Sequence, residues 1–314
     1  MLRRTTALAL AALALLTAVP AYAKPGAPRP DTYTLPGEAI FPEGIASQQG
    51  SDVFYVSATS DGTIFRGELD KPAAEVFLPG GQDGRTAAAG LKVDRKGRLF
   101  IASGNTGKMF VYDTDTRALL GAFDNDLPTT FVNDVAVARD GTAYFTDSVA
   151  PYLYRLSPQP DGSYRYEVWL DFTGTPFVYQ PGFNANGIAI SQNGRYLVVV
   201  QSSTGLLFRI AIATKEVTPI DLGGETLTNG DGVLLQGRSL YVVRNRQELI
   251  VKVELSGDLT RGTVVSSTTD PSFGFPTTIA RARGRLLVVN SQFDRRGPGL
   301  TPDLPFTVSS VPVP

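Results

Sequence analysis

The sequence predicts an all-β, six-bladed β-propeller, and three observations carry that expectation. A phrase made of a small or polar residue, a short apolar run, a Gly-containing turn and a second run rich in Val, Tyr, Phe and Leu occurs six times. The copies open at Glu43, Ala89, Asn133, Asn186, Asp231 and Thr277, so their spacings are 46, 44, 53, 45 and 46 residues, the length of one four-stranded blade. No segment beyond the first 23 residues sustains 3.6-residue periodicity over three turns, which leaves strands as the regular element.

The strands of each blade follow in order. Inner strands are expected at Gly44 to Ser47, Leu91 to Val93, Val135 to Val137, Ile188 to Ile190, Val233 to Leu235 and Ile279 to Ala280. Turns holding Gly50, Gly97, Gly141, Gly194, Gly237 and Gly284 come next, where a tight hairpin needs positive φ. Second strands run at Val53 to Ser57, Arg98 to Ala102, Thr142 to Thr146, Arg195 to Val200, Ser239 to Val243 and Arg285 to Val289. Third and outer strands follow with the same alternation, Trp169 falling in one of the outer strands as a core residue. Thr32 to Gly37 reads like the outer-strand segment Glu75 to Gly80 yet precedes the first inner strand. It is expected to complete the sixth blade beside a strand at Phe306 to Val311, because an open ring would leave unpaired edges.

Residues 1–23 are read as a secretory signal peptide, with Arg3 and Arg4, an apolar stretch from Leu8 to Val19, and the cleavage motif Ala21-Tyr22-Ala23. Residues 24–31 form a Pro-rich flexible leader and 32–314 the propeller domain, expected to be secreted or periplasmic. The chain has no Cys, hence no disulfide framework, and no His, which excludes Ser/His/Asp catalysis and an imidazole base. Of 29 basic and 30 acidic residues, loss of Arg3 and Arg4 leaves 27 against 30, a net charge of −3. Nucleic acid and anionic lipid are therefore not expected as partners. The expected partner is a small-molecule substrate, with no membrane association after signal cleavage, and the chain is expected to be a monomer.

Inner strands of a propeller converge on a central tunnel, so the residues that open them face one another across its mouth. Glu43, Asn133, Asn186 and Asp231 would bring two carboxylates and two amide oxygens together there, a set that suits Ca²⁺ with open positions left for water or substrate. Asn133-Asp134, Asn186-Gly187 and Asp231-Gly232 are also ordinary turn dipeptides. Glu43 has no turn preference and falls in register with the other three, which favours the metal reading.

Phe41-Pro42-Glu43-Gly44, Phe131-Val132-Asn133-Asp134, Asn184-Ala185-Asn186-Gly187 and Gly230-Asp231-Gly232 resemble the blade-opening motifs of the calcium-dependent propeller hydrolases, the family of gluconolactonases, regucalcin and diisopropyl fluorophosphatase. That resemblance implies that the four residues bind a catalytic Ca²⁺ and that Asp231 doubles as base or nucleophile, giving a lactone- or ester-hydrolase. Asp134 could orient the Asn133 amide from behind or merely cap a loop. Phe131 stands where sugar lactonases of the family commonly carry an arginine, and Thr277 where phosphotriesterase-like members can place a histidine. The first departure weakens the expectation of sugar lactones and favours an apolar-tolerant pocket, and the second closes a histidine-assisted route. The pocket wall is expected from Phe131, Phe177, Tyr179, Phe183, Phe275 and Thr277, while Arg85 is either a mouth residue or an exposed surface arginine. Two competing readings stand beside the hydrolase: a non-catalytic, calcium-stabilised propeller that binds a protein or glycan, and a condensing enzyme resembling strictosidine synthase.

Overall fold

A computed structural model of the chain describes residues 29–314. Residues 1–23, expected to be a signal peptide, and residues 24–28 of the expected leader lie outside the described residues.

Twenty-four strands form six four-stranded antiparallel sheets, the blades of a six-bladed β-propeller. Blade one holds β2 (Pro42–Ser47), β3 (Val53–Ala58), β4 (Ile64–Glu68) and β5 (Glu75–Leu78), and blade two β6 (Leu91–Val93), β7 (Arg98–Ala102), β8 (Lys108–Asp113) and β9 (Leu119–Asp124). Blade three holds β10 (Val132–Val137), β11 (Ala143–Asp147), β12 (Tyr152–Pro158) and β13 (Tyr164–Asp171), and blade four β14 (Ala185–Ile190), β15 (Tyr196–Gln201), β16 (Leu206–Ala211) and β17 (Val217–Ile220). Blade five holds β18 (Gly230–Gln236), β19 (Ser239–Arg244), β20 (Leu249–Leu255) and β21 (Gly262–Thr268). Blade six combines β22 (Pro276–Ala282), β23 (Arg285–Asn290) and β24 (Phe306–Pro312) with β1 (Thr32–Leu35), which pairs antiparallel with β24 and brings strands from opposite ends of the chain into one sheet. Among the described residues the helical elements are three single 3₁₀ turns.

The six hairpin glycines all take positive φ, between 61° and 92°, as the turns between inner and second strands demand. The apolar core is a ring of six clusters, one in each seam between neighbouring blades. Ile45, Phe54 and Phe65 of blade one, for example, pack against Leu287, Val289 and Phe306 of blade six. Trp169 is buried in the seam between blades three and four, as the sequence suggests.

Five inner strands begin about three residues earlier than the apolar pattern implies, because each contains a β-bulge. Between Pro42 and Ile45, Val132 and Val135, Ala185 and Ile188, Gly230 and Val233, and Pro276 and Ile279, the inner strand carries one residue more than its partner. A bulge leaves a residue out of the ladder and re-aims its side chain. The displaced pairs begin with Glu43, Asn133, Asn186, Asp231 and Thr277, five of the six openings. The tunnel is also narrow there. A Cβ on Gly44 would lie 2.5 Å from the Ala89 carbonyl oxygen of the next blade, and one on Gly187 would run into that of Asp231.

Candidate functional site

Glu43, Asn133, Asn186 and Asp231 all line one cavity of about 780 Å³ at the mouth of the tunnel. This size suits a small organic ligand. Each side chain is nevertheless nearly buried, between 4% and 6% exposed.

Three buried oxygens in this group have no hydrogen-bond partner among the described residues: Glu43 Oε2, Asn133 Oδ1 and Asn186 Oδ1. Their orientation follows from their neighbours. Ser148 Oγ donates its hydrogen to the Ala185 carbonyl (2.7 Å), so it can only accept from Asn133, and Asn133 Nδ2 donates to it at 2.8 Å. The Asn133 oxygen is thereby turned the other way. Ser202 does the same for Asn186, donating to the Gly230 carbonyl and accepting from Asn186 Nδ2 at 2.9 Å. Asn245 accepts the Arg246 N–H on Oδ1 (2.8 Å), so its Nδ2 faces and donates to Asp231 Oδ2 at 2.9 Å. A buried acceptor without a donor costs on the order of 1–3 kcal/mol. Three of them, from blades one, three and four and lining one cavity, form an acceptor-only site, which a hard cation fits. Among the described residues no cluster of three or more His, Cys, Asp or Glu side chains could hold a metal, so any ion here needs the two amide oxygens.

The carboxylates respond to this enclosure. Burial pushes the Glu43 carboxyl well above the usual carboxylate range, aided by the nearby charges of Asp231 and Asp134 and opposed by that of Lys92. Burial also raises Asp231, up to about 7, with the Asn245 hydrogen bond opposing and the Asp134 charge adding. Without a cation, two buried acids share one acceptor-rich site.

Asp134 does not hold the Asn133 amide, which is the task of Ser148. Its carboxylate accepts from the backbone N–H of Val135 (2.8 Å) and of Ile188 on the next blade (3.2 Å), so it ties two inner strands together. Thr277 does not line the cavity. Fully buried, it donates from Oγ1 to the Glu43 carbonyl at 2.8 Å and fixes the backbone of that residue from blade six.

Of the aromatic residues expected in the wall, Phe131, Phe183 and Phe275 line the cavity. Phe131 and Phe183 contact each other with ring centroids 4.9 Å apart. Phe275 sits with φ 50°, a left-handed backbone that Glu248 supports by accepting its N–H at 3.0 Å. Phe177 and Tyr179 are corrections. Their loop folds back over the seam between blades three and four, where Phe177 is buried with its centroid 4.4 Å from both Phe172 and Phe208. Tyr179 packs against the same cluster and donates to the Asp147 carbonyl at 2.5 Å. Arg85 is neither a mouth residue nor exposed. It is fully buried, donating to Gly62 O (2.7 Å), Pro79 O (2.9 Å) and the Tyr112 hydroxyl (2.5 Å).

Other residues of the site went unread at the sequence level. Ser148, Ser202 and Asn245 aim the oxygens, and Asp147 anchors the wall by accepting the Phe131 and Ala150 N–H groups at 2.9 and 2.8 Å. Their signal lies in the repeat itself. The residue directly after the second strand is Thr59, Ser103, Ser148, Ser202, Asn245 and Ser291 in the six blades, polar and small every time.

No family model matches the chain. Lactonase drp35 from two strains of Staphylococcus epidermidis is 32% identical over 168 residues, which is 51% of this chain and 49% of the relative. The chain thus spans about half the length of the curated relatives it matches. Among solved structures, the Malassezia sympodialis allergen Mala s 1 aligns with TM-score 0.66 at 16% identity, covering 90% of this chain and 96% of that one. A luciferin-regenerating enzyme aligns with TM-score 0.62 at 12% identity, over 88% and 92% of the two chains. Virginiamycin B lyase from Staphylococcus aureus gives 0.59 at 13%, over 90% and 87%. At such identities these likenesses concern the fold.

Proposed function

We propose that the chain is a calcium-dependent hydrolase of lactones or related esters. The observation that carries this reading is the set of three partnerless buried oxygens, on Glu43, Asn133 and Asn186, in one cavity with the Asp231 carboxylate. The similarity of half the chain to a lactonase supports it. Glu43, Asn133, Asn186 and Asp231 would hold Ca²⁺, which when bound polarises a carbonyl oxygen and stabilises the negative charge that develops on it.

The residues of the chain supply the rest. Asp231 is the base or nucleophile, and Asn245 holds one of its oxygens so that the carboxylate keeps a single orientation. As base it takes a proton from water while the oxygen of that water bonds to the acyl carbon. The acyl–oxygen bond then breaks, and the proton passes to the departing alkoxide, giving a hydroxy acid from a lactone or an acid and an alcohol from an ester. Phe131 and Phe183 seat an apolar portion of the substrate, and Ala87, Ala88 and Ala89 leave room beside them.

The test is hydrolysis of a panel of lactones and aryl esters in calcium, before and after chelation. Activity is expected to vanish with the chelator and return with added Ca²⁺. Activity indifferent to chelation sinks the reading.

A further inference from the structure

The cavity is unequal around its circumference. On blades two to four its apolar lining is Ala87, Ala88, Phe131, Pro181 and Phe183, interspersed with Asn105, Ser202 and Ser203, whereas the basic residues of the lining, Arg246 and Arg296, come from blades five and six.

These arginines differ from their neighbours. Arg295 pairs with Asp303 at 2.6 Å, and Arg244 donates to the Thr228 carbonyl at 3.0 Å. Among the described residues neither Arg246 nor Arg296 has an ion-pair partner. Arg296 is still held in place: its guanidinium stands 5.2 Å from the ring centre of Phe41 and 5.8 Å from that of Phe293, and Nη1 donates to Thr59 Oγ1 at 3.0 Å. A guanidinium has five N–H donors, so this arrangement fixes its plane and leaves most donors free. Arg246 lies on the 3₁₀ turn Asn245–Gln247, next to the residue that orients Asp231.

Besides Glu43 and Asp231, Asp294 is the one acidic residue in the cavity lining, and it too has no ion-pair partner among the described residues, while Glu248, outside the lining, accepts the Phe275 N–H. With Glu43 and Asp231 balanced by the Ca²⁺ of the reading above, two guanidinium groups against Asp294 leave the cavity lining with an excess of a single positive charge, on a chain whose formal net charge is −1. Such local reversal concentrates anions at a cleft. The excess matches a monoanion.

We propose that Arg246 and Arg296 form a carboxylate-binding wall, and that the ester or lactone taken here carries a carboxylate on one arm and an apolar group on the other. The inference rests on the hydrolase reading above and adds the substrate class to it.

Two chromogenic esters of equal chain length test it with calcium saturating: 4-nitrophenyl hexanoate, which is neutral, and the mono-4-nitrophenyl ester of adipic acid, which ends in a carboxylate. The anionic ester is expected to have the lower KM. Arg246→Gln and Arg296→Gln should each raise that KM roughly five-fold while leaving kcat and the neutral ester unchanged. Asp294→Asn should act in the opposite direction, lowering KM for the anionic ester, and salt at about 0.5 M should shrink the preference. Equal KM values for the two esters, or arginine variants that shift both alike, overturn the proposal.

A second measurement does not depend on turnover. Calorimetric binding of 6-phenylhexanoate and of 6-phenylhexan-1-ol, with and without chelator, should show tighter binding of the acid and its loss in both arginine variants. Equal binding, or binding of neither, overturns the wall. Charge-dependent binding without hydrolysis of either ester would instead sink the hydrolase reading and support the wall.

Discussion

Blades one, three, four and five differ from blade two in the side chain at the strand opening, and that side chain separates an opening that presents an oxygen from one that does not. In the first group the inner strand bulges at Glu43, Asn133, Asn186 and Asp231. In blade two the regular pairing of β6 with β7 runs from Leu91 opposite Ile101 to Val93 opposite Leu99. Just before it the Ala89 N–H donates to Ala102 O while the Ala102 N–H donates to Gly90 O, so two residues again face one, but the opening residue is Ala89. Ala89 lines the same cavity but only its backbone is engaged, donating to Ala102 O at 2.8 Å and accepting from Ser57 Oγ at 2.5 Å. Blade six stands between the two cases. It has the bulge, but Thr277 spends its hydroxyl on the Glu43 carbonyl. Repetition of a blade therefore makes a ring of equivalent places. The bulge recurs, and the side chain it displaces decides which places bear chemistry.

The largest effect that would break this comparison lies at Asp231. Asp231→Asn keeps the size, one oxygen and the bulge, but it removes the carboxylate that takes the proton or attacks. Turnover on a genuine substrate is expected to fall about 100-fold or more, with calcium saturating. Single-turnover and steady-state rates beside a calcium titration separate this loss from weaker metal binding. Wild-type turnover in the variant would reduce Asp231 to a ligand like the other three.

Next in size is the coupling of calcium and pH to stability. Glu43 and Asp231 are raised above their ordinary values in the metal-free fold by burial. The native state therefore retains protons that the unfolded chain releases, and stability present below the ordinary carboxylate range is lost as pH rises toward and through about 7, where Asp231 titrates. The melting temperature of metal-free protein should fall between about pH 5 and pH 8. With calcium the two acids are ionised, and the decline should flatten or reverse. At 100 times its dissociation constant, calcium should add about 2.7 kcal/mol. Calorimetry at several pH values, with chelator and with calcium, reads both effects; a melting temperature indifferent to calcium across that range removes the metal site.

How much of this was legible follows from the range of the forces involved. The six turns were readable because a tight hairpin requires a local backbone conformation, and Gly97 or Gly237 announces it without help from the rest of the chain. Closure of blade six was readable because Thr32 to Leu35 repeats an outer strand out of order. The bulges were not. An extra residue in β10 or β14 becomes visible only against the partner strand, so the inner strands were read as starting at Val135 and Ile188 instead of Val132 and Ala185. Phe177 and Tyr179 were misplaced for a related reason. An aromatic loop next to a cavity and one folded into a seam have the same composition, and the difference is settled by contacts with Phe172 and Phe208. Arg85 was misread because a buried guanidinium is unusual, and the acceptors that permit it come from three separate segments, at Gly62, Pro79 and Tyr112.

The finest test uses three serines at equivalent positions. Ser148 and Ser202 accept from the side-chain amides of Asn133 and Asn186, whereas Ser103 donates to the Ala87 carbonyl of its own blade and touches no candidate ligand. Removing a group that orients a metal ligand typically costs about 10- to 100-fold in affinity. Ser148→Ala and Ser202→Ala free an amide that can then turn its nitrogen toward the cavity, so each should weaken calcium binding at the lower end of that range. Ser103→Ala should leave calcium affinity unchanged and cost only about 1 kcal/mol of stability for the lost hydrogen bond. Calorimetric titration of calcium into the three variants, beside their denaturation curves, separates the two roles. Equal calcium affinity in all three would mean that Asn133 and Asn186 hold their orientation without help, and that the polar residue after each second strand serves only to latch the blades.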